Sequence, residues 1–170
     1  MKYRITKYNP QFRNHKGAYY RPEWTSCTDI GHVFLGKTLT CKEYLFVENA
    51  YISTIMLILG VFHSKSGYVD ACEKRFSLKK IQRRLKSVGL RLHIRDRILF
   101  NKVQNNYILK YRQIPSVLRL VLRECIWCKI ACTNVNIEFG YDYYIYIYCD
   151  VISEDIIKTV RQKGIYIEML

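Results

Sequence analysis

The chain has 170 residues, of which 28 are Lys or Arg and 14 are Asp or Glu, so its formal net charge is +14. Because 49% of the residues are hydrophobic, the chain has enough apolar material for a buried core, which argues against disorder. The longest apolar run, residues 55–62, is shorter than the roughly 20 residues of a membrane span. No apolar segment follows the charged start of the chain as in a signal peptide. We therefore predict a single α+β domain over 1–170, located in the cytoplasm and without membrane contact.

The first part of this domain is residues 1–62, where a strand, an aromatic loop and a core helix are predicted. Tyr3 and Ile5 alternate with polar residues, which is typical of a half-buried strand. Thr40 and Glu43 have the spacing of a capping box, in which each side chain binds a free amide of the first helical turn. Apolar residues then recur at helical spacing, so we expect a helix that starts at Thr40 and packs in the core.

Positive charge is concentrated in the basic segment, residues 74–112, which has thirteen Lys or Arg and one acid, Asp96. It follows residues 63–73, where Ser66 and Gly67 predict a connection and Tyr68 to Cys72 are left unassigned. Ser77 can cap a helix that ends at Gly89. So large a local excess of charge indicates a negatively charged partner.

In the second half of the basic segment, the spacing of the apolar residues changes from helical to alternating. Apolar and charged residues alternate over 90–95, which predicts a strand, with a turn at Asp96-Arg97 and a return strand from Ile98. The cations of the helix and of the strand's polar face are then expected on one surface. The residues predicted to bind a partner are Lys79, Lys80, Arg83, Arg84, Arg91, His93, Arg95 and Arg97.

Residues 113–170 are predicted to contain helix, strand, helix and strand. Pro115 suits the first turn of a helix whose apolar stripe runs to Ile126. A long β pattern covers 135–149, and Ser153 can cap a helix that a closing strand follows. The predicted fold is a mixed or antiparallel sheet packed against several helices, with a C-terminal strand-helix-strand unit.

Three nearby cysteines, Cys125, Cys128 and Cys132, are the only pattern that resembles a metal or redox motif. A zinc site needs four convergent ligands, and no second close Cys/His pair occurs. A redox pair is expected where a helix begins, whereas these residues are predicted late in a helix. We therefore predict that they pack in the core, and that the protein has no metal, no cofactor and no enzymatic activity.

Tyr144, Tyr146 and Tyr148 alternate along the predicted strand and share one face. Three interpretations remain open. These are stacking of the rings on bases, as in RNA-binding sheets, a protein interface, and burial of the rings beneath helices.

Several strings resemble a family of small bacterial cytoplasmic proteins, the immunity proteins of contact-dependent growth inhibition and related polymorphic-toxin systems. The resemblance covers most of the chain outside residues 63–112, and its relatives are richer in Glu than this sequence. It implies a non-enzymatic inhibitor that binds one cognate toxin, often a nuclease and in some cases an EndoU-type RNase. No functional residue is transferred with it. The strings are MKYRITKYNPQFRN at the start, EWTSCTDIG (23–31), LTCKEYLFVENAYI (39–52), IPSVLRLVLRECIWCKI (114–130) and FGYDYYIYI (139–147).

The expected function is therefore neutralisation of a toxin domain by occlusion, with the cations of the basic segment on an acidic toxin surface. The alternative is a basic RNA- or DNA-binding protein that uses the same cations. A further possibility for the inhibitor is that its acidic patches reach a cationic cleft of the toxin. The residues of these patches are Asp142, Asp150, Glu154 and Asp155.

Overall fold

The computed structural model describes all 170 residues and contains nine strands and five α-helices. The strands are β1 (Lys2–Thr6), β2 (Val33–Phe34), β3 (Lys37–Thr38), β4 (Ser66–Glu73), β5 (Ile108–Lys110), β6 (Trp127–Cys132), β7 (Asn136–Phe139), β8 (Ile145–Tyr148) and β9 (Tyr166–Met169). The helices are α1 (Cys41–Val61), α2 (Leu78–Ser87), α3 (Ile94–Lys102), α4 (Ile114–Leu122) and α5 (Glu154–Arg161).

Seven of the strands form one antiparallel sheet in the order β5-β4-β6-β7-β8-β1-β9, while β2 and β3 form a separate hairpin. The N-terminal strand β1 is antiparallel to both β8 and β9. The two strands joined by α5 therefore run parallel on either side of β1. This confirms the predicted α+β class, with an antiparallel sheet and a C-terminal strand-helix-strand unit.

The predicted start of α1 is confirmed. The amide of Glu43 donates to the Thr40 hydroxyl at 3.1 Å, and the amide of Thr40 donates to the Glu43 carboxylate at 2.9 Å. The amide and the hydroxyl of Thr40 both donate to the Glu43 carboxylate, and these two bonds lower its pKa. Two of the largest buried side chains, Tyr44 and Tyr51, project from this helix. By length and composition α1 is apolar enough to cross a membrane, with a mean hydropathy of 1.6, and half of that stretch is buried within the fold.

The core lies between the helices and one face of the sheet. Tyr3 and Ile5 of β1 are buried there, as predicted, together with alternate residues of β7 and β8 such as Ile137 and Ile147. These side chains and those of α1 and α4 belong to one cluster of 39 buried residues. A single core therefore holds the N-terminal and C-terminal parts together.

The prediction of a connection over 63–73 is wrong from Ser66 onward, because Ser66–Glu73 is the eight-residue strand β4 between β5 and β6. Its side chains give little apolar signal, and only Val69 is fully buried. Gly67 is needed there because a Cβ atom would lie 2.7 Å from the carbonyl oxygen of Ala131 on β6. The glycine that suggested a loop is thus a point of close contact between strands.

The prediction of strands over 90–100 is also wrong, since Ile94–Lys102 is helix α3 and the preceding residues are a loop. The alternation is misleading because Ile94 is 67% exposed. Buried Asp96, Leu99 and Phe100 instead show helical spacing. The Asp96 carboxylate accepts the amide of His93 at 3.2 Å, so the predicted turn is the first turn of a helix.

Helix α4 includes Pro115 in its first turn, as predicted, but it ends at Leu122 rather than continuing past Ile126. The chain leaves the helix through Glu124, whose φ of 54° is left-handed. Glycine is the residue that usually marks such a position, so the sequence lacks the ordinary stop signal. The prediction that the three cysteines lie late in a helix is therefore wrong: Cys128 and Cys132 are in β6, and Cys125 precedes it.

Several thiols are buried among apolar side chains, and burial raises their pKa. The pKa of Cys27 and of Cys125 rises to about 12, and that of Cys128 also rises. The pKa values of Cys132 and Cys149 rise to about 11. All seven cysteines are free thiols.

These thiols predict that alkaline pH destabilises the protein. In the unfolded chain a thiol loses its proton near its ordinary pKa of 9.0, whereas the folded chain retains it. Between about pH 9 and 11 the unfolded state therefore binds fewer protons, and the free energy of unfolding decreases as pH rises. Cys128→Ala should reduce this slope near pH 10 by about 1.4 kcal/mol per pH unit, the value for one proton.

Urea unfolding at a series of pH values measures the slope. The control is Val69→Ala, which also removes atoms from the core but no thiol. An unchanged slope in Cys128→Ala would contradict the assignment of the proton to this residue.

Candidate partner-binding surface

Six of the eight residues predicted to bind a partner are exposed. Lys79, Lys80 and Arg83 lie on the outer side of α2. The predicted helix of the basic segment is confirmed, and the Ser77 hydroxyl accepts the amide of Lys80 at 3.4 Å. The other exposed residues are Arg91, His93 and Arg95, in the loop before α3 and in its first turn.

The remaining two, Arg84 and Arg97, are half-buried and have a different setting. The Arg84 guanidinium donates to the carbonyls of Arg123 and Glu124, both at 2.9 Å, and so joins α2 to the end of α4. The Nε of Arg97 is buried without a hydrogen-bond partner. These two residues are therefore partly structural rather than fully available to a partner.

Most of the cations in the basic segment have no internal counter-ion. Of its thirteen Lys and Arg residues, only Arg75 and Arg84 have a carboxylate within 4.0 Å, at 3.7 and 3.8 Å. The only acid of the segment, Asp96, is fully buried and faces away from them. The surface of α2 and of the α3 start therefore presents a positive field that the protein does not neutralise.

A buried ion pair holds this surface in place. The Glu48 carboxylate of α1 receives two hydrogen bonds from the Arg123 guanidinium, each 2.7 Å long. Both residues are at most 2% exposed. Arg123 also donates to the carbonyl of Arg91 at 2.8 Å. One guanidinium thus connects α1, the end of α4 and the loop between α2 and α3.

Two further contacts extend this network. Arg119 on α4 donates to the buried Asp96 at 2.9 Å and lies 3.7 Å from Glu48. The hydroxyl of Tyr44 donates to Glu48 at 3.1 Å, and that of Tyr143 donates to the carbonyl of Leu122 at 2.7 Å. The network has two carboxylates and two guanidinium groups, so it is electrically neutral inside the core.

A groove of about 570 Å³ adjoins the basic surface at Arg84. Its aromatic lining includes Phe76, Trp127 and Tyr141, which are 39%, 37% and 89% exposed. Phe76 lies beneath the side chains of Lys80 and Arg84, whose charged groups are 4.2 and 6.0 Å from its ring centre. Segments 23–31, 114–130 and 139–147, which carried the family resemblance, all contribute residues to this groove.

Sequence reasoning did not find the groove, because its lining comes from separate parts of the chain. The turn between β7 and β8 forms one wall, where the amide of Tyr144 donates to the carbonyl of Tyr141 at 3.0 Å. Asp142 and Tyr143 in this turn have left-handed φ values of 56° and 62°. Consecutive non-glycine residues in this conformation are strained. The buried ring of Tyr143 compensates by packing against Trp24, with the ring centres 5.0 Å apart.

The alternating tyrosines, Tyr144, Tyr146 and Tyr148, lie on the sheet face opposite the core, and all three side chains are half-buried. Lys2 is 4.9 Å from the ring centre of Tyr146 and 5.6 Å from that of Tyr148. Arg4 and Arg13 are each 5.5 Å from the ring centre of Tyr144. The rings are thus partly covered by the protein's own cations.

The cysteine cluster and the acidic patches do not form a second centre. Cys125 and Cys128 are buried in the core, and no group of three or more His, Cys, Asp or Glu side chains is arranged to hold a metal. Asp142 lines the groove, whereas Asp150, Glu154 and Asp155 are exposed at the end of β8 and the start of α5.

No protein-family model matches the chain, and no curated protein and no solved structure matches it either. The function is therefore inferred from the surfaces described above.

The buried ion pair generates a stability prediction. Arg123→Met leaves Glu48 charged and buried, which should lower the free energy of unfolding by about 3–5 kcal/mol. Adding Glu48→Gln removes the unpaired charge and should restore at least about 2 kcal/mol. Urea unfolding followed by circular dichroism measures both effects. Exposed Arg83→Met is the control and should change stability by less than about 0.5 kcal/mol. A loss below about 1 kcal/mol in Arg123→Met would show that the pair does not hold the fold together.

Proposed function

We propose that this protein is a non-enzymatic inhibitor of the immunity-protein type. In this proposal it binds one cognate toxin domain, such as a nuclease, through the surface of α2 and the start of α3. The observation that carries the proposal is the set of exposed cations without internal counter-ions. Charges of one sign on a rigid surface attract an oppositely charged partner and accelerate its capture. The matching surface of the toxin is therefore acidic.

A protein partner is favoured over nucleic acid by what lies beside the cations. The adjoining groove contains three carboxylates, those of Glu73, Glu124 and Asp142, and two guanidinium groups. A phosphate backbone that follows α2 would meet this net negative lining. Exposed Trp and Tyr with a neighbouring Arg are instead typical of the residues that dominate protein interfaces.

Blocking by occlusion also fits the sign of the charge. A basic inhibitor cannot imitate the polyanion that a nuclease binds, so it would cover an acidic surface beside the active site. Such an interface buries about 1,600 Å² in total, of which about 800 Å² lies on each partner. The neighbouring groove is the nearest surface that can extend the contact.

Charge reversal tests this proposal with the cognate toxin domain, which the proposal expects to be encoded by a neighbouring gene. Arg83→Glu with Arg95→Glu should reduce the association rate at low salt at least about 10-fold, because both residues contribute to the attracting field. The reduction should shrink as salt is added, since salt screens exposed charges. Stopped-flow fluorescence measures the rate.

The matched control is Lys158→Glu with Arg161→Glu, which makes the same charge change on α5, a helix outside the basic segment that packs against the edge strand β9. Equal effects of the two double variants would reject a localised binding surface. A second outcome would identify the protein as a nucleic-acid-binding protein instead of an inhibitor. In that case it binds a short RNA or DNA duplex, the affinity falls steeply with salt, and binding is lost in Arg83→Glu with Arg95→Glu.

A further inference from the structure

We propose that the groove binds an arginine side chain of the partner protein, held between Tyr141 and the carboxylate of Asp142. This inference extends the proposed function, on which it rests for the identity of the partner. It adds a second contact of opposite sign beside the basic surface. The partner would then present an exposed arginine next to its acidic patch.

The first observation is the exposure of the aromatic groups. Tyr141 is 89% exposed, the largest exposure of any large hydrophobic residue in the chain. It stands at the tip of the β7–β8 turn, at the rim of the groove. Guanidinium groups stack on aromatic faces and are attracted to the electrons of the ring. An exposed tyrosine beside a concave surface can therefore bind a planar cation.

The second observation is the charge of the lining. Glu73 and Glu124 lie 3.7 and 3.8 Å from Arg75 and Arg84, so these four charges balance. Asp142 is exposed and has no cation within 4.0 Å. The nearby buried Lys7 pairs with Glu23 at 3.2 Å instead. In a protein of net charge +14, the groove is thus a local site of net negative charge, with one carboxylate free to accept two hydrogen bonds from a guanidinium.

The third observation is that this wall is held rigidly. Tyr143 anchors the turn, since its hydroxyl donates to the carbonyl of Leu122 at 2.7 Å and its ring packs against Trp24. Its backbone, like that of Asp142, is left-handed. A turn fixed in this way keeps the Tyr141 ring and the Asp142 carboxylate in place before a ligand arrives. Such preorganisation reduces the entropy lost on binding.

The test uses the full-length protein and three tripeptide probes, so it does not require the toxin. The probes are acetyl-Gly-Arg-Gly-amide and its norleucine and Glu counterparts. Titration followed by ¹⁵N NMR should show shifts for the arginine probe at the amides of 140–144 and at the indole N–H of Trp127. Probe concentrations of about 10 mM nearly fill a site of millimolar affinity.

Two variants separate the two contacts. Asp142→Asn should weaken binding of the arginine probe at least about fivefold, because the ion pair is lost. Asn tolerates the left-handed backbone at this position. Tyr141→Ala should weaken binding of the arginine probe by a similar factor. Because Tyr141 is exposed, this change should not affect folding. Glu154→Gln, an exposed carboxylate outside the groove, is the control and should have no effect.

Each other outcome would overturn the inference. Equal binding of the norleucine probe would identify an apolar site, and equal shifts around Glu154 would indicate only general attraction to carboxylates. The absence of shifts in the groove would show that it does not bind arginine. A toxin that fails to bind the whole protein would reject the proposed function and leave these titrations unchanged, so the two failures are distinguishable.

Discussion

The ion pair between Glu48 and Arg123 is the constraint on which the rest of this structure depends. It joins α1 to the end of α4, and Arg123 also holds the loop at Arg91. Through Arg119, the same network reaches Asp96 at the start of α3. The only acid of the basic segment is thus used inside the protein, where it balances Arg119. One buried network therefore positions the helix and the loop that present the exposed cations.

The helices and strands that were predicted correctly are those stabilised by residues close to them in the sequence. The capping box at Thr40, the helix of the basic segment after Ser77 and the alternation around Ile147 depend on neighbours within a few residues. Elements stabilised by distant partners were missed. Strand β4 depends on its pairing with β5 and β6. At the start of α3, Asp96 binds the nearby His93 amide, but its burial depends on the contact with Arg119.

In the candidate partner-binding surface, too, features that depend on nearby residues were predicted and features that depend on distant residues were not. The cations of the basic segment follow directly from composition, and six of the eight chosen residues are exposed. That Arg84 ties α2 to the end of α4 depends on carbonyl groups about forty positions away and has no local pattern. The groove was not predicted because α2, β4 and the β7–β8 turn meet there only in the folded chain. Some lining residues were considered from the sequence, but separately: Arg84 as a cation of the basic segment, Tyr144 as one of the alternating tyrosines and Asp142 as part of an acidic patch.

In the proposed function, the basic surface captures one protein partner. Affinity capture of the tagged full-length protein from its native host, washed at low and at high salt, tests this most directly. The account predicts one stoichiometric protein partner that remains bound at high salt, identified by mass spectrometry as the product of a neighbouring toxin gene. Recovery of heterogeneous nucleic acid that high salt removes would contradict it, since that is the behaviour of binding through phosphate contacts.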